Sequence, residues 1–190
     1  MTTVDLQKYE IRNGAFADIL IDTKSKRAFK LFKSYDHPHL NGTGKEDLGP
    51  EKTNKYRREV FKTELEAYLI AERNKIIKKH TPQFYKQHRF DKVFNANQDI
   101  SHYYLLDCCF EMDYVEGECK KLTHIRSNRE LLQDLESSLK FKLTSLLSAF
   151  NEAGIKYTED SSVIINSHSF VIIDFATIDP HRFEPIIGID

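Results

Sequence analysis

The sequence predicts an α+β fold with a strand-rich first part and a smaller helical second part. Two observations carry this. Apolar residues run in strand-length stretches before residue 33, then recur at three- and four-residue spacing over residues 56–73 and again over residues 129–152. Strands and helices also follow in blocks: strands, one helix, strands, a break at Gly117, one long helix and a final hairpin.

Each element has its own signal. Residues 9–33 read as two or three strands, with Ile19, Leu20 and Ile21 in one apolar run and Ala28, Leu31 and Phe32 in the next. Asp22 to Lys26 form the polar hairpin turn between them. Residues 34–55 hold Pro38, Asn41-Gly42, Gly44 and Gly49-Pro50, and are expected to form a mobile loop. Tyr56 to Arg73 reads as a helix with Phe61, Leu65, Tyr68 and Leu69 on its apolar stripe and Arg57, Arg58, Lys62 and Glu66 on its polar side. Strands are expected around Phe90–Phe94 and Tyr103–Met112, paired as a hairpin across Asn95 to Ser101. From Arg129 to Glu152, the leucines at 132, 135, 139, 143, 146 and 147 and Phe150 mark a helix that Gly154 stops. Val163–Ile165 and Phe170–Ile173 are short strands joined by a polar turn.

Composition narrows the function classes. At 190 residues the chain fits one domain or two small lobes, and 13 Phe and 9 Tyr suffice for a core. The 28 basic and 29 acidic residues nearly cancel, which points away from nucleic acid and membrane surfaces. Cys108, Cys109 and Cys119 have neither an even count nor metal spacing, and read as reduced thiols of a cytoplasmic protein. No signal-peptide core and no membrane-length apolar run is expected.

Four segments could carry chemistry. The Asn13 to Ile19 stretch places Gly14 in a turn between strands with Phe16 at its tip, where backbone N–H groups can approach phosphates. Lys30 lies in an apolar strand beside Ala28, so it either snorkels or meets a carboxylate. Met112 ends an apolar strand that runs into Asp113, Val115 and Gly117. Asp174 ends the last strand, in Ile172-Ile173-Asp174-Phe175-Ala176.

In that order these segments resemble the protein-kinase signature set, over about residues 9–180. The resemblance implies a small bilobal kinase-like fold: an antiparallel N-lobe sheet with one helix over residues 1–116, and a truncated helical C-lobe over residues 117–190. It implies ATP and Mg²⁺ as cofactors. Gly14 and Phe16 would then belong to a phosphate loop in which Arg12 and Ala17 stand for the outer glycines. Ile19 and Ala28 would line the nucleotide, and Lys30 would contact its phosphates. Glu64 is the chosen partner for Lys30, with Glu59 and Glu66 as alternatives. Met112 matches the gatekeeper, Asp113 and Val115 the adenine-binding hinge, and Glu118 a ribose contact. Asp174 matches the Mg²⁺-binding aspartate, and Ser162 stands where the second metal ligand, an asparagine, would be.

The catalytic loop departs from the pattern. Counted from Gly154, Glu159 takes the place of the catalytic aspartate. Counted back from the strand at Val163, Tyr157 does. Glu159 and Asp160 are the candidate bases. With 16 residues after Asp174, the substrate-anchoring C-lobe helices have no room in this sequence. Ser161-Ser162-Val163-Ile164 with Ile173-Asp174-Phe175-Ala176 is also similar to the corresponding strands of inositol polyphosphate kinases, although their Pro-x-x-x-Asp-x-Lys-x-Gly motif has no counterpart. The expectation is therefore a pseudokinase-type regulator acting through a protein partner. The alternative is an active atypical phosphotransferase.

Overall fold

The computed structural model describes residues 2–39, 49–122, 137–158, 161–166 and 169–179. It is a mixed α+β protein with largely antiparallel sheets and two helices among those residues. The strands are β1 (Thr3–Asp5), β2 (Glu10–Asn13), β3 (Ala17–Asp22), β4 (Arg27–Lys33), β5 (Phe84–His88), β6 (Lys92–Asn95), β7 (Gln98–Asp99), β8 (Tyr104–Asp113), β9 (Glu118–Lys121), β10 (Ser162–Asn166) and β11 (Ser169–Ile173). The helices are α1 (Gly49–Arg73) and α2 (Ser137–Glu152). No helix among the described residues is long and apolar enough to cross a membrane.

The chain divides into two compact units. The first takes the residues up to Lys62 and Phe84–Tyr114; the second takes Thr63–Gln83 and Val115–Asp179. Helix α1 thus begins in one unit and ends in the other, and the later boundary falls at Tyr114, two residues before the expected break.

In the first unit a five-stranded antiparallel sheet has the order β2-β3-β4-β8-β5. One face closes on Leu20, Leu31, Cys109, Phe90, Val93 and Tyr104, together with Val4 and Leu6. The other carries Phe32 and Phe110, against which Phe61 of α1 packs edge-on and tilted at ring distances of 5.3 and 6.3 Å. A small sheet, β1-β6-β7, pairs β1 with β6 in parallel across some ninety residues of sequence.

In the second unit β9, β10 and β11 form an antiparallel sheet. Its core centres on Phe175, whose ring lies 4.5 Å from that of Tyr68 and 5.2 Å from that of Phe150. Helix α2 ends in a paired capping motif. The N–H of Gly154, at φ +94°, bonds the carbonyl of Asn151, and that of Ile155 bonds the carbonyl of Phe150. Phe150 and Ile155, the positions that such a motif commonly makes apolar, are both buried.

Several expectations need correction. Helix α1 starts at Gly49, so the loop is shorter than residues 34–55; Pro50 is the cause, since its missing N–H and fixed φ suit a first helical turn. Residues 40–48 lie outside those described. The strand around residues 90–94 does not pair with Tyr103–Met112. It pairs with β1 and β7, while β8 takes β4 and β5. Four strands went unread: the short β1, β7 and β9 and the polar edge β5. On α1, Arg57 is wholly buried and Leu69 is exposed, the reverse of the expected sides. Of the long helix, Ser137 to Glu152 is described; Leu132 and Leu135 lie outside, and Leu143, Leu146 and Phe150 are buried as expected.

Candidate functional site

Side chains alternate across a strand, and directly paired residues share a face. Ile19 pairs with Lys30, Ala28 with Met112, and Lys30 with Phe110. The register therefore gathers four residues singled out from the sequence, Ile19, Ala28, Lys30 and Met112, on one face of the five-stranded sheet. Lys30 is 7% exposed, with its ammonium 5.7 Å from the centre of the Phe32 ring. Among the acidic candidates on α1, Glu64 is buried, in the second unit. Glu59 instead pairs with Lys62 at 2.6 Å, and Glu66 is exposed and accepts a hydrogen bond from Thr177.

The Gly14–Phe16 turn uses its own backbone groups. The N–H of Gly14 donates to the carbonyl of Ala17 at 2.9 Å, so it is occupied within the hairpin. The carbonyl of Gly14 accepts from Lys33 Nζ at 2.7 Å. The carbonyl of Phe16 accepts from the N–H of Lys33 at 2.9 Å and from Nη1 of Arg57 at 3.2 Å. Phe16 lays its ring edge-on to Tyr56, 5.8 Å away. What lies behind the turn is therefore cationic.

Lys33 is wholly buried and answered. Its Nζ lies 3.0 Å from Oδ1 of Asp18 and also donates to the carbonyl of His39. Oδ2 of Asp18 accepts from the Tyr104 hydroxyl at 2.9 Å and lies 3.1 Å from Nε2 of His37. Nδ1 of His37 accepts the N–H of His39, which leaves the ring proton on Nε2, facing Asp18. Burial pushes the Asp18 carboxyl up, but hydrogen bonds from His37 and Lys33 and the charge of Lys33 outweigh it and hold the group below the usual carboxylate range. The Tyr104 phenol is raised, by burial first and then by the Asp18 charge. Sequence reasoning missed this cluster because Asp18 and His37 lie nineteen residues apart, in segments read as a hairpin and a loop.

At the expected hinge, Met112 is buried and the Asp113 carboxylate is held by Arg27 at 3.2 Å and by the Tyr85 hydroxyl at 2.8 Å. Val115 is half-buried, and Glu118 stands exposed in β9 beside Lys120, 3.4 Å away.

The β10–β11 hairpin brings Ser162 and Asp174 to one end, because Ser162 pairs with Ile173. Asp174 has φ +60°, a left-handed conformation that few non-glycine residues adopt and that functional sites collect. Its carbonyl accepts from Ser161 Oγ at 3.1 Å. Tyr157 and Ala176 exchange backbone hydrogen bonds at 3.1 and 3.0 Å, tying the segment after α2 to the one after Asp174. Glu159 and Asp160, the candidate bases, lie outside the described residues. No group of three or more His, Cys, Asp or Glu able to hold a metal exists among the described residues.

No protein-family model, curated protein or solved structure matches the chain.

Proposed function

We propose that this chain is a kinase-like nucleotide-binding protein, bilobal in the kinase sense, which acts as a pseudokinase-type regulator through a protein partner. The reading rests above all on one observation: Ile19, Ala28, Lys30 and Met112, which hold nucleotide contacts in the kinase pattern, share one sheet face, with Lys30 buried. ATP is the cofactor, with Mg²⁺ on Asp174 and Ser162; Asp113 and Val115 take the adenine edge. Thermal-shift titration with ATP, with and without Mg²⁺, tests this. At 100 times Kd, ATP stabilises the fold by about 2.7 kcal/mol. Lys30→Met removes that gain, and Glu64→Gln reduces it. An intact fold that ATP does not shift would remove nucleotide binding from the claim.

A second reading, an active atypical phosphotransferase, is favoured by the left-handed Asp174 beside Ser162 at the hairpin end. Phosphoryl transfer depends mainly on positioning and charge neutralisation. Labelled ATP, offered with protein partners and with inositol phosphates, gives transfer that Asp174→Ala abolishes. Transfer that survives this substitution sinks the metal assignment.

A further inference from the structure

We propose that Arg57 forms the floor of an oxyanion site beneath the Gly14–Phe16 turn, shaped to take a phosphoryl group through two parallel hydrogen bonds. The nucleotide as carrier of that group rests on the reading above; the anion site does not.

The argument begins with burial. Arg57 is wholly buried in the first unit, on the same stripe of α1 as Phe61. Its Nη1 is spent on the carbonyl of Phe16, while Nε and Nη2 have no hydrogen-bond partner among the described residues. These two nitrogens are not an arbitrary pair. In a guanidinium, Nε–H and the neighbouring Nη2–H point the same way and make the side edge that grips carboxylate or phosphate bidentately. Burial pushes the Arg57 guanidinium down to about 10, so it stays a cation at neutral pH.

A buried cation with an open bidentate edge is a costly arrangement for a fold built only for stability. A ligand that brings the missing oxygens offsets the cost. The Phe16 ring, half-buried at the tip of the turn, lies 5.7 Å from the guanidinium carbon. Nearby Lys33 cannot serve the same anion, since Asp18 and two carbonyls already hold it.

Replacement separates a binding residue from a structural one. Arg57→Met keeps the volume and discards the unpaired charge. Arg57→Lys keeps the charge and discards the fork. Each variant and the native chain are titrated, at matched ionic strength, with pyrophosphate, ATP, adenosine and acetate, followed by thermal shift and calorimetry. We expect pyrophosphate and ATP to stabilise the native chain, and Arg57→Met to melt at or above the native temperature without anion. Both variants bind pyrophosphate about 100-fold more weakly, the loss of two charge-assisted bonds. Adenosine binds all three alike.

Other outcomes separate the claims. Pyrophosphate binding that needs Arg57, with no response to adenosine or ATP, keeps the anion site and removes the nucleotide reading. ATP affinity unchanged in Arg57→Lys overturns the anion site and leaves the nucleotide reading standing. Acetate that stabilises as well as pyrophosphate overturns the phosphoryl assignment. If Arg57→Met fails to fold while Arg57→Lys folds with native pyrophosphate affinity, Arg57 is structural and the proposal is wrong.

Discussion

Lys33 and Arg57 approach the same Gly14–Phe16 turn from different elements, and both are wholly buried. Lys33 meets a carboxylate and two carbonyls. Arg57 meets one carbonyl, and its bidentate edge is buried without a hydrogen-bond partner among the described residues. The difference separates two uses of a buried cation. The first closes its own charge balance and locks β3, β4 and the segment to His39 together. The second leaves the balance open, which stability alone does not favour and recognition does.

The sharpest way to break this comparison is to make Lys33 resemble Arg57. Asp18→Asn keeps the shape and removes the charge, which leaves an uncompensated ammonium in the core. We expect a loss of about 3–5 kcal/mol in chemical denaturation. Asp18→Asn with Lys33→Met recovers part of it, since the stranded charge goes too. Acid adds a second handle. The folded Asp18 carboxyl titrates below its unfolded value of about 3.9, so its contribution is complete above that pH and is lost as pH falls through the depressed folded value. Stability of Asp18→Asn therefore falls less steeply below about pH 4 than that of the native chain. Parallel acid curves for the two proteins would refute the lock.

Legibility in the sequence follows the range of the interactions. The β3–β4 hairpin, the Gly154 stop of α2 and the β10–β11 hairpin rest on neighbouring residues, and their patterns are readable. The β1–β6 pairing is not, because its partners lie far apart and nothing local marks them. Strand β5 hides in Phe84-Tyr85-Lys86-Gln87-His88, an edge with half-exposed aromatics and no apolar alternation. For the site, Ala28 and Lys30 are two residues apart on one strand, so their shared face follows from sequence, whereas their alignment with Ile19 and Met112 needed the register. Arg57 was misjudged by residue type. It stands four residues before Phe61, on the buried stripe, and that spacing was the signal available.

A smaller break acts on the turn that both cations touch. A Cβ on Gly14 would sit 2.9 Å from the carbonyl oxygen of Ala17, a backbone atom that cannot swing aside. Gly14→Ala must therefore shift the hairpin end, and with it the carbonyls that Lys33 and Arg57 grip. We expect a loss of about 1–3 kcal/mol, in the range of overpacking. Denaturation of Gly14→Ala alone and with Arg57→Met distinguishes the grips. If the turn strain passes mainly to Lys33, the Gly14→Ala loss is the same with and without Arg57→Met; a loss that changes strongly in the Arg57→Met background would place it on Arg57.

The smallest effect belongs to the exposed side of the same hairpin. Arg12 on β2 pairs with Glu10 at 3.2 Å and donates to the Tyr114 hydroxyl at 2.9 Å, with its guanidinium 5.5 Å from the centre of that ring. The Arg12 and Glu10 side chains are each about half exposed. Water screens such a pair and side-chain entropy opposes it, so Arg12→Ala should cost no more than about 1 kcal/mol. Most of that difference should vanish in about 1 M salt, where the screening length shrinks to about 3 Å. Asp18→Asn, whose ion pair lies out of solvent, should keep its deficit at the same salt. A salt-resistant Arg12→Ala loss comparable to that of Asp18→Asn would mean that burial is not what separates the two sides of the turn.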